Sequence, residues 1–144
     1  MAFDITSANS TLVLTVENLY PAGVKIEGFS TDNSFAMDDD TIAETHMGID
    51  GKLTAGFTPS EKSVTITLDA GSPSYEVLCN IYNMSKTNMT VLDTSMQITV
   101  PALGKEFSFK NGVMVTGHPL PAGEKVLGNT NWTFKFGKFD TSSI

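Results

Sequence analysis

Apolar and polar residues alternate with a period of two through most of this chain, and that alternation restricts it to folds built on β-sheet. Leu12, Leu14 and Val16 would share one face of a strand with Thr11 and Thr15 opposite. The pattern returns at Val24/Ile26, Val64/Ile66/Leu68 and Met96/Ile98/Val100. Successive strand side chains point to opposite faces, so each segment predicts a strand with one dry and one wet side. A final strand from Asn131 to Phe139 would put Trp132, Phe134 and Phe136 into the core and Thr133 and Lys135 outside. Phe107 and Phe109 lead into Lys110-Asn111-Gly112-Val113, where Asn-Gly predicts a two-residue type I′ hairpin turn, with Val113 and Val115 on the return strand.

One stretch changes period. Ser72-Pro73 supplies an N-cap and first helical residue, Glu76 lies in the first turns, and Tyr75, Leu78, Ile81 and Tyr82 recur at helical spacing. This predicts a single helix over 73–85, ended by Lys86-Thr87-Asn88 and packed by its apolar stripe against sheet. The fold expected is mainly β, an antiparallel sandwich or barrel with that helix and a long early loop. With 144 residues, 40% of them hydrophobic, one domain over 1–144 accounts for the chain. Residues 30–53 and 119–130 read as excursions, and 1–10 and 140–144 as polar ends that need a partner for order.

Charge is distributed unevenly. Between Ile26 and Gly51 stand seven acids (Glu27, Asp32, Asp38, Asp39, Asp40, Glu44 and Asp50) and no lysine, whereas the remainder balances nine acids against nine lysines. That segment therefore holds the whole formal charge of −7. Its acids are interspersed with Phe29, Phe35, Met37, Ile42, Met47 and Ile49, so it combines a charged surface with apolar anchors. A solvated loop that keeps a domain soluble is the plain alternative.

Several function classes lose support. The chain has no arginine, the residue that supplies bidentate base and phosphate contacts, and its acidity repels polyanions, which argues against sequence-specific DNA reading. Such a surface can still serve DNA by letting it slide past. No apolar run is long enough for a membrane span, and Met1-Ala2-Phe3-Asp4 does not open a signal peptide, so cytosolic synthesis is expected. Cys79 is alone, which excludes an intrachain disulfide and a cysteine-based zinc site. Glu44 and His46 offer two metal ligands without a third, and Asp38-Asp39-Asp40 lacks the alternating spacing, glycine and glutamate of an EF-hand. No nucleophile elbow, phosphate-cradling loop or His-Glu-x-x-His helix occurs. Neither an enzyme nor a cofactor is expected.

The strand pair around Gly23-Val24-Lys25-Ile26-Glu27-Gly28-Phe29 and Phe35-Ala36-Met37-Asp38, the following Gly48-Ile49-Asp50-Gly51-Lys52-Leu53, and the strand-to-helix passage from Val64 to Tyr75 carry a resemblance. Over nearly its whole length the chain resembles bacteriophage tail tube proteins, in particular the inner-tube proteins of contractile tails, related to pyocin and type VI secretion tubes. The resemblance implies a structural virion protein that self-assembles into hexameric rings, stacked as a tube with an acidic lumen for DNA ejection. It implies assembly in the host cytoplasm and tail sheath, tape measure, baseplate and tail terminator proteins as partners, without membrane insertion. Mapped onto this sequence, Glu27, Asp32, Asp38, Asp39 and Asp40 become the lumen or inter-ring acidic surface, and Ile42, Glu44, Met47, Ile49, Asp50 and Leu53 the stacking loop. Two readings from other classes stay open: a β-sandwich ligand- or carbohydrate-binding module with an acidic, calcium-binding loop, and a small hydrolase using paired carboxylates.

Overall fold

The computed structural model describes residues 10–26, 35–123 and 125–144. Among these residues nine strands and one helix follow one another: β1 (Thr11–Val16), β2 (Tyr20–Ile26), β3 (Phe35–Met37), β4 (Ala43–Met47), β5 (Leu53–Phe57), β6 (Lys62–Leu68), α1 (Tyr75–Asn88), β7 (Thr94–Val100), β8 (Lys105–Gly117) and β9 (Thr130–Ser143). Seven strands form one antiparallel sheet in the order β2-β1-β7-β8-β9-β6-β3, and β4 and β5 form a separate hairpin.

The predicted alternation places the core. Leu12, Leu14, Val16, Val64, Ile66, Leu68, Met96 and Ile98 are buried, as are Trp132, Phe134 and Phe136 on β9. The sheet curls on itself, because β3 and β7, which have three strands between them in the order, line the same cavity through Phe35 and Ile98. α1 crosses from β6 to β7 over the inner face: Leu78 and Ile81 are buried, and Tyr75 and Tyr82 set their rings edge-on to Trp132 at 6.3 Å. The indole N–H of Trp132 donates to Thr130 Oγ1 at 3.1 Å, so the largest core side chain leaves no polar atom unpaired.

Four expectations are corrected. Residues 111 and 112 do not turn the chain, since β8 runs through them and stays in register with β9 at Lys110↔Lys138 and Gly112↔Phe136. Asn111 takes the left-handed φ of 56° within the strand, and the inward-facing positions step from Phe109 to Gly112 on β8 and from Phe136 to Phe139 on β9. The two long strands thus bend together at this point, and the connection between them is the loop 118–129. The helix begins and ends later than 73–85: Ser74 is the N-cap, its N–H donating to Ser72 Oγ, and the last turn closes at Met89 with Met89 N–H donating to Lys86 O and Thr90 N–H to Ser85 O. β2 and β3 do not pair but stand at the two edges of the sheet. The end from Thr141, expected to need a partner for order, is the tail of β9 paired with β8 through Lys105↔Ser143.

Candidate assembly surface

The acidic excursion is largely a hairpin. Ala43 pairs with Phe57, Thr45 with Ala55 and Met47 with Leu53 on one face, and Glu44 with Gly56 and His46 with Thr54 on the other. Facing residues in an antiparallel pair project to the same side, so the first face is apolar apart from Thr45 and the second is polar. Gly51 N–H donates to Gly48 O at 3.0 Å and Gly48 N–H to Lys52 O at 2.9 Å. Gly51 closes this three-residue loop at φ 83°, a conformation that glycine adopts without a Cβ clash.

Every residue of both hairpin strands is exposed. Met47 is 61% exposed, Leu53 58%, Phe57 80% and the tip residue Ile49 completely so, with Ile42 at 64% before the first strand. A two-stranded hairpin is marginal by itself, and an apolar face turned to water is a surface that another body covers. The predicted anchors Ile42, Met47, Ile49 and Leu53 are therefore gathered on one projecting element. Phe57 belongs with them and was missed. The signal for it was Leu53-x-Ala55-x-Phe57, one more period-two run.

The acids divide by role. Asp40 accepts a hydrogen bond from Ser60 Oγ at 2.8 Å and lies 3.8 Å from Lys62 Nζ; both charged side chains are largely shielded. The Ser60 hydroxyl also reaches Thr41 O at 2.9 Å, Lys62 Nζ donates to Ser60 O at 2.6 Å, and Thr58 N–H donates to Ile42 O. Asp40 thus clamps the root of the hairpin to the start of β6. Asp38 and Asp39 are exposed, and among the described residues neither carboxylate has a partner. Asp50 sits in the tip loop and accepts from Lys52 N–H, and Glu44 projects from the polar face together with His46. Glu27 and Asp32 lie outside the described residues. Among the described residues no three of His, Cys, Asp and Glu gather around a point that could hold a metal ion. None of the helices described is long and apolar enough to cross a membrane.

A second surface lies inside the curl of the sheet. A cavity of about 390 Å³ opens between β3, β7, β8 and β9, walled by Phe35, Met37, Val100, Leu103, Phe107 and Phe139 among others. Its aromatic wall is continuous, with Phe107 stacked on Phe139 at 6.0 Å and Phe109 against Phe139 at 4.6 Å. Sequence alternation had put Phe107 and Phe109 on strands without revealing that they border an opening rather than a closed core.

Comparison with known proteins is consistent with this architecture. Residues 3–140 match the family described as tail fiber protein gp32. No curated protein matches the sequence. The fold is similar to a chain of the anti-feeding prophage cap, the AFP tube terminating cap, with a TM-score of 0.63 and 11% identity over 100% of this chain and 94% of that one. It is also similar to a chain of the sheath-tube complex of an extracellular contractile injection system, PVC, in the extended state, with a TM-score of 0.59 and 13% identity over 92% and 88%. A chain of the six-fold symmetrised anti-feeding prophage baseplate gives a TM-score of 0.57 at 11% identity over 99% and 98%. The chain has the mainly antiparallel tail-tube type of fold.

Proposed function

We propose that this chain, which belongs to the tail fiber protein gp32 family, is a non-enzymatic subunit of a tail tube, assembling into hexameric rings that stack around a conduit for DNA. The observation that carries the reading is the β4–β5 hairpin, whose apolar face is exposed along its whole length although its root is clamped. An apolar projection on a chain of net charge −7 serves assembly better than solubility. The hairpin, through Ile42, Met47, Ile49, Leu53 and Phe57, contacts the adjacent ring. β2 and β3, the outermost strands of the sheet among the described residues, pair with neighbouring subunits around the ring, which uses the hazard of a sheet edge. Similar folds occur in a tube cap, a sheath-tube complex and a six-fold baseplate, which supports sheath, baseplate and terminator proteins as partners; a tape measure protein is proposed beside them from the resemblance to tail tubes alone. The chain then resides in the virion tail after assembly in the host cytoplasm.

Asp38 and Asp39, free of partners among the described residues, are assigned to the lumen, with Glu27 and Asp32 kept as further candidates; Asp40 is occupied at the hairpin root. Carboxylates on the wall keep a polyanion from adhering, and lysines would release its counterions and hold it. Replacing Asp38 and Asp39 by lysine should leave tubes intact and slow DNA ejection; unchanged infectivity from normal tails refutes the lumen assignment.

Negative-stain microscopy of the concentrated protein tests the assembly itself. Hollow rods with a stain-filled axis are expected. Solid rods would support the fibre that the family description names, and a strict monomer at every concentration and salt would refute both.

A further inference from the structure

We propose that the tail of β9, residues 139–143, takes one strand of the β4–β5 hairpin of a second copy along its unpaired side, which extends the sheet of one subunit with the hairpin of the next. This rests on the tube reading and names the surface that the hairpin meets. β6 pairs with β9 only over residues 130–136 of β9, and its last rung is Lys62↔Phe136. Beyond that rung β9 stays paired with β8 up to Lys105↔Ser143, so among the described residues positions 137–143 are hydrogen-bonded along one side only. All seven are exposed except Phe139, which is half-buried. Sheet edges are commonly kept from pairing by proline or by brevity, and this one is neither short nor interrupted by proline.

The hairpin has the matching deficiency. β4 and β5 pair with each other, so among the described residues each has one open side, and every residue of both is exposed. Faces then fix the register. On the tail, Phe139, Thr141 and Ser143 pair with Phe109, Phe107 and Lys105 and share one side, while Lys138, Asp140 and Ser142 share the other. An added strand keeps its apolar side level with the side of Phe139, and a slip of one residue would invert it. In the hairpin strands the first, third and fifth residues form the apolar side: Ala43, Thr45 and Met47, or Leu53, Ala55 and Phe57. Alternation on the tail is regular from Lys138 onward, so five such residues fit only on 139–143, with Thr45 or Ala55 opposite Thr141 whichever way the strand runs. Antiparallel β4 then sets Met47 opposite Phe139, and β5 sets Phe57 or Leu53 there; parallel β4 is disfavoured because Glu44 would oppose Asp140. In such strand addition, backbone hydrogen bonds supply affinity and alternate side chains supply register. Hairpin and tail are different parts of one chain, so the contact is head-to-tail and each copy both gives and receives.

Cross-linking tests the register. In a Cys79→Ser background, Thr141→Cys is combined with Thr45→Cys, which reads β4, or with Ala55→Cys, which reads β5. One of these pairs should, on mild oxidation of assembled protein, give a ladder of disulfide-linked oligomers on a non-reducing gel, whereas each cysteine alone should stop at dimers. All three positions are exposed, so folding is retained. Hollow tubes that form normally but give a ladder with neither pair overturn the strand addition while leaving the tube standing. A disulfide closed within single chains overturns it too, because the chain's own hairpin then fills the edge. Failure of the unmodified protein to form tubes overturns the tube reading and the strand addition with it. Amide exchange gives an independent readout. Amides of 139–143 that face away from β8, and those along the open side of one hairpin strand, should lose their fast exchange on assembly. Exchange that stays fast at these positions in intact tubes overturns the pairing.

Discussion

A Cβ placed on Gly112 would stand 2.0 Å from Cδ1 and 2.5 Å from Cε1 of Phe136, so the glycine is required by a ring lying on the backbone. Asn-Gly serves a hairpin turn and a strand bend equally, because both need a residue at positive φ and one without bulk. Only the position of Phe136, 24 residues downstream, decides between them. Gly112→Ala should therefore destabilise the fold by about 1–3 kcal/mol, the usual cost of forcing a group into a packed core, read as a lower denaturation midpoint. A second prediction concerns Tyr75, whose hydroxyl donates to Pro119 O. Interaction with the Cys79 side chain, followed by burial and the charges of Cys79 and Glu76, holds its pKa above the ordinary phenol value of 10.0. A group whose pKa is raised in the folded state contributes stability that is present below the unfolded value and lost as pH rises through the folded one. Thermal unfolding from about pH 8 to about pH 11 should thus show a steeper alkaline loss for the wild type than for Tyr75→Phe.

Elements differed in how openly the sequence declared them. β1, β6, β7 and β9 were legible because one face of each is buried, and burial enforces alternation. The β4–β5 hairpin read as a loop because no face of it is buried in its own chain, leaving its pattern without a core to explain it. Within the acidic cluster, the separate role of Asp40 was hidden because Ser60 and Lys62, which engage it, follow about twenty residues later. The pairing of β3 with β6 instead of β2 was hidden for the same reason: it is a contact between distant segments. Asp40→Ala removes one charge-assisted hydrogen bond and a shielded ion pair at the hairpin root. It should accelerate amide exchange across residues 43–57 while leaving β1 and β7 protected, at a global cost of about 1–3 kcal/mol. Asp38→Ala should change neither.

At the scale of the whole molecule, apolar association competes with charge. Each copy carries −7, and bringing such copies together is opposed by repulsion that extends over a Debye length of about 30 Å at 0.01 M salt and about 8 Å at 0.15 M. Opposite-sign contacts between exposed side chains of neighbouring copies are worth about 1 kcal/mol at most, and salt screens them as well. Burial of the hairpin's apolar face does not weaken with ionic strength, and sulfate strengthens it by being excluded from protein surface. Repulsion is therefore the component that salt removes to greatest effect. Assembly followed by light scattering should begin at a lower protein concentration in about 150 mM sodium chloride than in about 10 mM, and lower still in sulfate at equal ionic strength. A rising threshold would mean that ion pairs outweigh the hairpin, and it would move the adhesive role from Ile49, Met47, Leu53 and Phe57 to the lysines of β8 and β9.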